Sequence, residues 1–122
     1  MIKGIGIDLI ELDRINQSIK RNSRFVQRIL TAAEYERYQT LNERRKVEFV
    51  AGRFAAKEAF AKSVGTGIGK LSFQDIEILP DRQGAPCMKV RGYGDFNIWV
   101  SVSHSAKQAV AQVVVETKPD AT

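Results

Sequence analysis

Residues 53–69 read RFAAKEAFAKSVGTGIG, a helix running into a glycine-rich stop. Val47, Val50, Ala51 and Phe54 recur at helical spacing and define one apolar face, which Ala61 continues. At about 100° per residue, Glu58 falls roughly 20° from the centre of that face. A carboxylate therefore points where the pattern requires a core side chain, and a buried charge needs a partner or a metal. One partner is near in sequence. Lys62, one turn on, can form an i, i+4 pair with Glu58 on a half-exposed helix end. The spacing is compatible with either arrangement.

The glycines follow at once. Gly65, Gly67 and Gly69 alternate with Thr66 and Ile68. A single Gly past a helix commonly takes the left-handed cap conformation. Three exceed that need, and the loop is expected to leave backbone N–H groups uncovered for a phosphate or a close backbone approach. It is not a Walker A loop, because Leu71 follows Lys70 and Val64 stands where the first Gly belongs. It is not a dinucleotide fingerprint either, since it follows a helix and reads G-x-G-x-G.

A second acid has an unusual setting. Residues 2–10 alternate as a strand, with Ile5, Ile7 and Leu9 on one face and Gly4, Gly6 and Asp8 on the other. Glycines weaken a strand interior and mark the close approach of another element. Asp8 then sits where something packs tightly, as Glu58 does on its helix. Two such acids suggest a shared cation. Magnesium suits them, since it takes one or two carboxylates and completes its shell with substrate phosphates and water. The alternative is that Asp8 simply ends the strand.

Arg53, Lys57-Glu58-Ala59-Phe60, Lys62 and Gly65-Thr66-Gly67 form a signature, accompanied by Gly4-Ile5-Gly6-Ile7-Asp8-Leu9 and Val100-Ser101-Val102-Ser103-His104-Ser105. Any one of these motifs is weakly specific. Together, in order and over nearly the whole chain, they resemble the holo-acyl-carrier-protein synthases, the small trimeric type of the phosphopantetheinyl transferase family. The resemblance implies a magnesium-dependent enzyme of fatty acid biosynthesis. Such an enzyme moves 4′-phosphopantetheine from coenzyme A to a serine of apo-acyl carrier protein and releases adenosine 3′,5′-bisphosphate. It implies Asp8 and Glu58 as metal ligands and Asp8, Glu58 and Lys62 as the catalytic set. Glu58, directly or through water, is the expected acceptor of the serine proton. Coenzyme A is expected on Arg53, Lys62, Gly65, Thr66, Gly67, His104 and Ser105. The resemblance also implies a homotrimer with active sites between protomers. A basic face of Arg14, Arg21, Arg24 and Arg28 would dock the acidic carrier protein.

The remaining chain is read from its punctuation. Residues 11–20 are expected to be helical, with Asp13 as cap, and Asn22 and Ser23 interrupt before a second helix over 24–30 capped by Ser23. Were that helix continuous, the four arginines would share a face. Thr31 and Glu34 fit a capping box opening a third helix. After Asn42 and Glu43 the long helix runs to about residue 64. Phe60 falls nearly opposite its apolar face and is expected to meet another subunit or the carrier protein. Strands are predicted over 73–79, 86–91, 98–103 and 108–115. His104, Ser105 and Lys107 then sit at the tip of the last hairpin, and 116–122 form a frayed tail. The expected fold is α+β: an N-terminal strand, helices including one long central helix, then a C-terminal antiparallel sheet. It is a single domain over 1–122, like a single-repeat phosphopantetheinyl transferase.

Composition narrows the partners. Nineteen basic against fourteen acidic residues give a net charge of +5, which favours an anionic partner. Basicity alone also fits a small nucleic-acid-binding protein, and an acid–acid–lysine set fits a metal-dependent nuclease; both are alternatives from other classes. The chain lacks an obvious aromatic strand motif for RNA, and neither nucleic acid nor membrane is expected as a partner. The one histidine, His104, has no His or Cys companions for zinc, and no G-x-S-x-G elbow accompanies the serines beside it. The lone Cys87 fits a reducing compartment. The opening residues lack a signal-peptide core, and no stretch approaches a membrane span, so the cytoplasm is the expected location.

Overall fold

Two glycines decide how the first strand meets the long helix. The structure, a computed structural model, describes residues 1–68 and 70–119. Strand β1 (Ile2–Glu11) lies against helix α4 (Glu43–Val64). A Cβ built on Gly4 would stand 1.8 Å from the Ser63 carbonyl oxygen, and one on Gly6 1.8 Å from that of Ala59. Any side chain there would push strand and helix apart, because backbone cannot yield as a flexible side chain can. The close approach expected from the glycine face is therefore real, and its partner is the end of α4.

The rest of the sheet follows from alternation. β1 pairs antiparallel with β5 (Gln108–Thr117), which pairs on its other side with β4 (Phe96–His104), giving the order β1-β5-β4. Asp8 faces Ala111, which faces Val102. Ala109, Ala111, Val113 and Val115 on the helix-facing side are buried, as are Val50, Ala51, Ala55 and Ala59 of α4. Small residues on both surfaces let helix and sheet approach closely. The opposite side of the sheet is open: Ile5, Ile7, Leu9 and Trp99 are each between 57% and 60% exposed. The apolar face of β1 is thus the outward one, and the glycine face is packed.

Between β1 and α4 run α1 (Leu12–Arg21), α2 (Phe25–Ile29) and α3 (Ala32–Gln39). A two-stranded ribbon of β2 (Ile76–Pro80) and β3 (Pro86–Val90) follows α4. The Thr31–Glu34 capping box is formed as predicted, and Asn42 caps α4 by accepting from the Arg45 N–H. Asp13 does not cap α1; Glu11 holds that position without a side-chain bond, and Asp13 accepts from Gln17 instead. Ser23 caps nothing: α2 begins after Arg24, whose N–H bonds the Asn22 side chain. Phe73 opens a short 3₁₀ turn capped by Ser72, so the strand starts at Ile76. β5 extends through Thr117, two residues into the expected tail, because Thr117 N–H bonds the Met1 carbonyl. Gly69 of the glycine loop and residues 120–122 of that tail lie outside the described residues. The α+β layout is as expected, and among the described residues no helix is long and apolar enough to cross a membrane.

One buried polar cluster ties these elements together. Lys57 and Glu34 are fully buried and 2.6 Å apart. Lys57 Nζ also donates to the carbonyls of Ile29 at 2.7 Å and Phe73 at 3.1 Å. Glu34 accepts from the backbone N–H groups of Thr31 and Ile78, both at 2.8 Å. Every charge is matched by a hydrogen bond, the condition on which a buried pair is tolerated. Phe60 belongs to the same interior: it is fully buried and meets Tyr93 edge-on at 5.0 Å. The expectation that it faces a partner fails because α4 is covered on several sides and has no free face at that position.

Candidate active site

The tight seam between β1 and α4 brings the sequence-predicted acids together. Asp8 shares the helix-facing side of β1 with the two glycines and is 15% exposed. Lys62, in the last turn of α4, donates to Asp8 Oδ1 at 2.8 Å and to the Ile7 carbonyl at 3.2 Å. The anticipated i, i+4 pair between Glu58 and Lys62 is therefore not the one formed. Lysine reaches across the seam because the missing glycine side chains leave the strand within its grasp. Glu58 is partly buried beside this pair. Burial pushes its carboxyl above the usual range, the charge of Asp8 pushes it further, and Lys62 partly opposes both. Two carboxylates near enough to repel, one of them desolvated, are a set that a hard divalent cation stabilises. Among the described residues no cluster of three or more His, Cys, Asp or Glu forms. Two carboxylates are nonetheless a donor set of the kind magnesium accepts when substrate oxygens and water complete its shell.

The glycine loop behaves differently from expectation. Gly65 and Gly67 have φ of 74° and 68°, the left-handed region where glycine is favoured. The N–H groups of Gly65, Thr66 and Gly67 turn back onto the carbonyls of Lys62 and Ala61. They close the helix and are not left uncovered for an anion. What the loop offers is open, exposed space just past the end of α4, since a Cβ at Gly65 or Gly67 would meet nothing within 4 Å.

Arg53 and His104 stand elsewhere. They line a cleft of about 380 Å³ with Arg37, Arg45, Phe49 and Pro86. The Arg53 guanidinium lies 4.0 Å over the Phe49 ring and donates to the Ile78 carbonyl at 3.1 Å, while its Nε is buried without a partner. Burial lowers its proton affinity, Glu34 raises it, and Arg37 lowers it again. His104, the last residue of β4, has Nδ1 3.6 Å from Glu48 Oε2. Ser105 is spent within the hairpin, its hydroxyl accepting from the Lys107 and Gln108 N–H groups. An arginine-rich cleft with an aromatic floor is suited to a phosphorylated, planar ligand.

The predicted residues thus fall into two groups. Asp8, Glu58, Lys62 and the glycine loop meet at the β1 edge of the sheet and the end of α4. Arg53 and His104 meet at the β4 edge, beside the first half of α4. Within the chain the two groups stay apart, because β5 lies between the two edges. Arg14, Arg21, Arg24 and Arg28 are all exposed, but α1 ends at Arg21, so they span two helices and a turn and form no single helical stripe. Sequence reading missed Arg37, Arg45 and Glu48 at the cleft, since scattered surface charges carry no periodic signal. It also missed that Lys57 pairs with Glu34 in the interior, although a lysine among Ala55, Ala56 and Ala59 was a legible anomaly.

Comparison with known proteins identifies the family. The profile of the 4′-phosphopantetheinyl transferase superfamily matches residues 4–114. A holo-[acyl-carrier-protein] synthase of Oceanobacillus iheyensis is 61% identical over 118 residues, 97% of this chain and 99% of that protein. A crystal structure of a Bacillus anthracis holo-(acyl-carrier-protein) synthase in complex with CoA (3′,5′-ADP) superimposes with a TM-score of 0.89 at 50% identity, covering 97% of this chain and 99% of that one. A Helicobacter pylori holo-[acyl-carrier-protein] synthase in complex with coenzyme A does so with a TM-score of 0.81 at 36% identity, covering 92% and 99%. The signature across β1 and α4, the fold and these likenesses agree that the chain belongs to the 4′-phosphopantetheinyl transferase superfamily, as an enzyme of the holo-[acyl-carrier-protein] synthase kind.

Proposed function

We propose that this enzyme transfers 4′-phosphopantetheine from coenzyme A to the acceptor serine of an apo-acyl carrier protein, with magnesium, for fatty acid biosynthesis in the cytoplasm. The observation that carries the reading is the meeting of Asp8, Glu58 and Lys62 across the glycine seam. The coenzyme A complexes of two relatives support the donor substrate. The serine oxygen attacks the β-phosphorus, and the bond to the bridging oxygen breaks. Adenosine 3′,5′-bisphosphate leaves, while phosphopantetheine remains on the serine. Such transfers need alignment and charge neutralisation more than covalent help. Asp8 and Glu58 would hold magnesium, which when bound neutralises pyrophosphate charge. Lys62 adds a cation for the transferring or leaving phosphate. The serine proton passes to Glu58, directly or through water.

Arg53 and His104, with Arg37 and Arg45, are assigned to the nucleotide end of coenzyme A. Because they line the other edge of the sheet, a complete site requires the β1 edge of one protomer and the β4 edge of its neighbour. The exposed apolar side of the sheet supports the same assembly, a homotrimer, since contiguous exposed apolar surface marks an interface. Incubation with coenzyme A, magnesium and apo-carrier protein, followed by mass spectrometry, tests the reaction: one added phosphopantetheine group is expected, and an unmodified carrier protein defeats the reading. Sedimentation equilibrium tests the assembly against three times the chain mass of 13.7 kDa. A dilute, fully active monomer contradicts shared sites.

A further inference from the structure

We propose that Lys62 couples the metal to coenzyme A: its ammonium and a divalent cation compete for Asp8, and the metal, on binding, frees the lysine for the phosphates. The proposal rests on the magnesium reading above and deepens it, since there Lys62 only neutralises phosphate charge.

Lys62 is held on β1 by two bonds, one to Asp8 Oδ1 and one to the Ile7 carbonyl, and none joins it to Glu58. Magnesium binds a carboxylate oxygen at about 2.0–2.1 Å. On Asp8 it would crowd a second cation onto a carboxylate that the lysine already neutralises. Asp8 is mostly buried in the seam, so water and salt screen that repulsion poorly. Lys62 has room to move. It is 55% exposed, on a flexible four-carbon stem with three rotatable donors, beside the open glycine loop. With the lysine on Asp8, one cation serves the acids of the seam, Asp8 by contact and Glu58 at longer range. With magnesium there, Lys62 is released where the pyrophosphate is expected to lie. Metal alone then binds weakly, because it must displace an internal cation. Metal and coenzyme A assist one another, as linkage requires of two ligands that favour the same arrangement.

The test uses Mn²⁺ as a spin probe, titrated against the full-length protein without coenzyme A, with free ion read by electron paramagnetic resonance. Lys62→Met is expected to bind Mn²⁺ on the order of tenfold more tightly than wild type, within the usual range of coupling between sites. Lys62→Gln should do the same and carries the test if Lys62→Met fails to fold. Lys62→Arg, which keeps the charge, should match wild type. The gain should survive about 1 M salt, where screening acts over about 3 Å and only contact pairs persist. It should vanish in an Asp8→Asn background. Unchanged or weaker Mn²⁺ binding in both neutral variants overturns the exchange, as does a gain that salt abolishes. If Asp8→Asn and Glu58→Gln leave Mn²⁺ binding untouched in the wild-type background, the metal site fails and the proposal with it. If they weaken binding and the Lys62 variants do nothing, the lysine exchange alone fails.

Discussion

Two lysines five residues apart on α4 have the same kind of partner and opposite surroundings. Lys57 bonds Glu34 at 2.6 Å, and both are fully buried. Lys62 bonds Asp8 at 2.8 Å, but its side chain is 55% exposed. Every hydrogen-bonding group around the first pair is committed: to the end of α2, the start of α3, the 3₁₀ turn and β2. The second pair touches only the strand it faces. Burial makes the first pair costly to break and useless for exchange. Partial exposure makes the second weak enough to yield to a ligand. The comparison separates a charge pair that holds the helix in place from one that the held helix leaves accessible, where the proposed chemistry would take place.

The largest expected effect breaks the first pair. Lys57→Met leaves the Glu34 carboxylate buried without its cation and should cost about 3–5 kcal/mol of stability, read by denaturant unfolding. Adding Glu34→Gln removes the stranded charge and should restore part of the loss. A Lys57→Met protein as stable as wild type would erase the distinction between the two pairs.

At the other pair the effect should fall on rate and spare stability. Asp8→Ala and Glu58→Ala are each expected to reduce transfer by about a hundredfold to a thousandfold, roughly 3–4 kcal/mol at the transition state, with unfolding midpoints little changed. Near-normal turnover and magnesium dependence in either variant would rule out the site as drawn.

A pH titration sharpens the same contrast. Because Glu58 binds its proton more tightly folded than unfolded, acidification should protonate it from above the ordinary carboxylate range downward. Metal affinity should fall as pH drops through that raised value, since the proton and the cation need the same oxygens. The stability contribution has the opposite sign. In the window between the unfolded value, about 4.3, and the raised folded one, the native state holds more protons, so stability falls as pH rises. Glu58→Gln should remove both trends. Persistence of both in that variant would assign them to another group.

The smallest effect is expected on the surface. Arg14→Glu should raise the carrier-protein KM several-fold at low salt and weaken the salt dependence of kcat/KM, leaving the KM for coenzyme A little changed. Unchanged carrier-protein kinetics across salt, with Arg14, Arg21, Arg24 and Arg28 all reversed, would place docking elsewhere.

Periodicity and punctuation carried much of this molecule. The long helix and its glycine cap, the Thr31–Glu34 box, the glycine face of β1 and the α+β order depend on neighbours in sequence. Local rules reach that far. Asp8 and Glu58 were legible because each departs from an otherwise regular pattern, and Lys62 because it stands one turn beyond Glu58 within the family signature. Tertiary structure decided the rest. Which carboxylate Lys62 takes depends on a strand 54 residues away and on how closely two glycines let it approach. Whether Phe60 is inside depends on elements that wrap α4 from other parts of the chain. The burial of Lys57 with Glu34 joins positions 23 residues apart in sequence. The division of the candidate ligands between two sheet edges follows from strand order, with β5 between β1 and β4. Each of these is a long-range packing outcome, set by which surfaces exclude water together, and one-dimensional spacing holds no record of it.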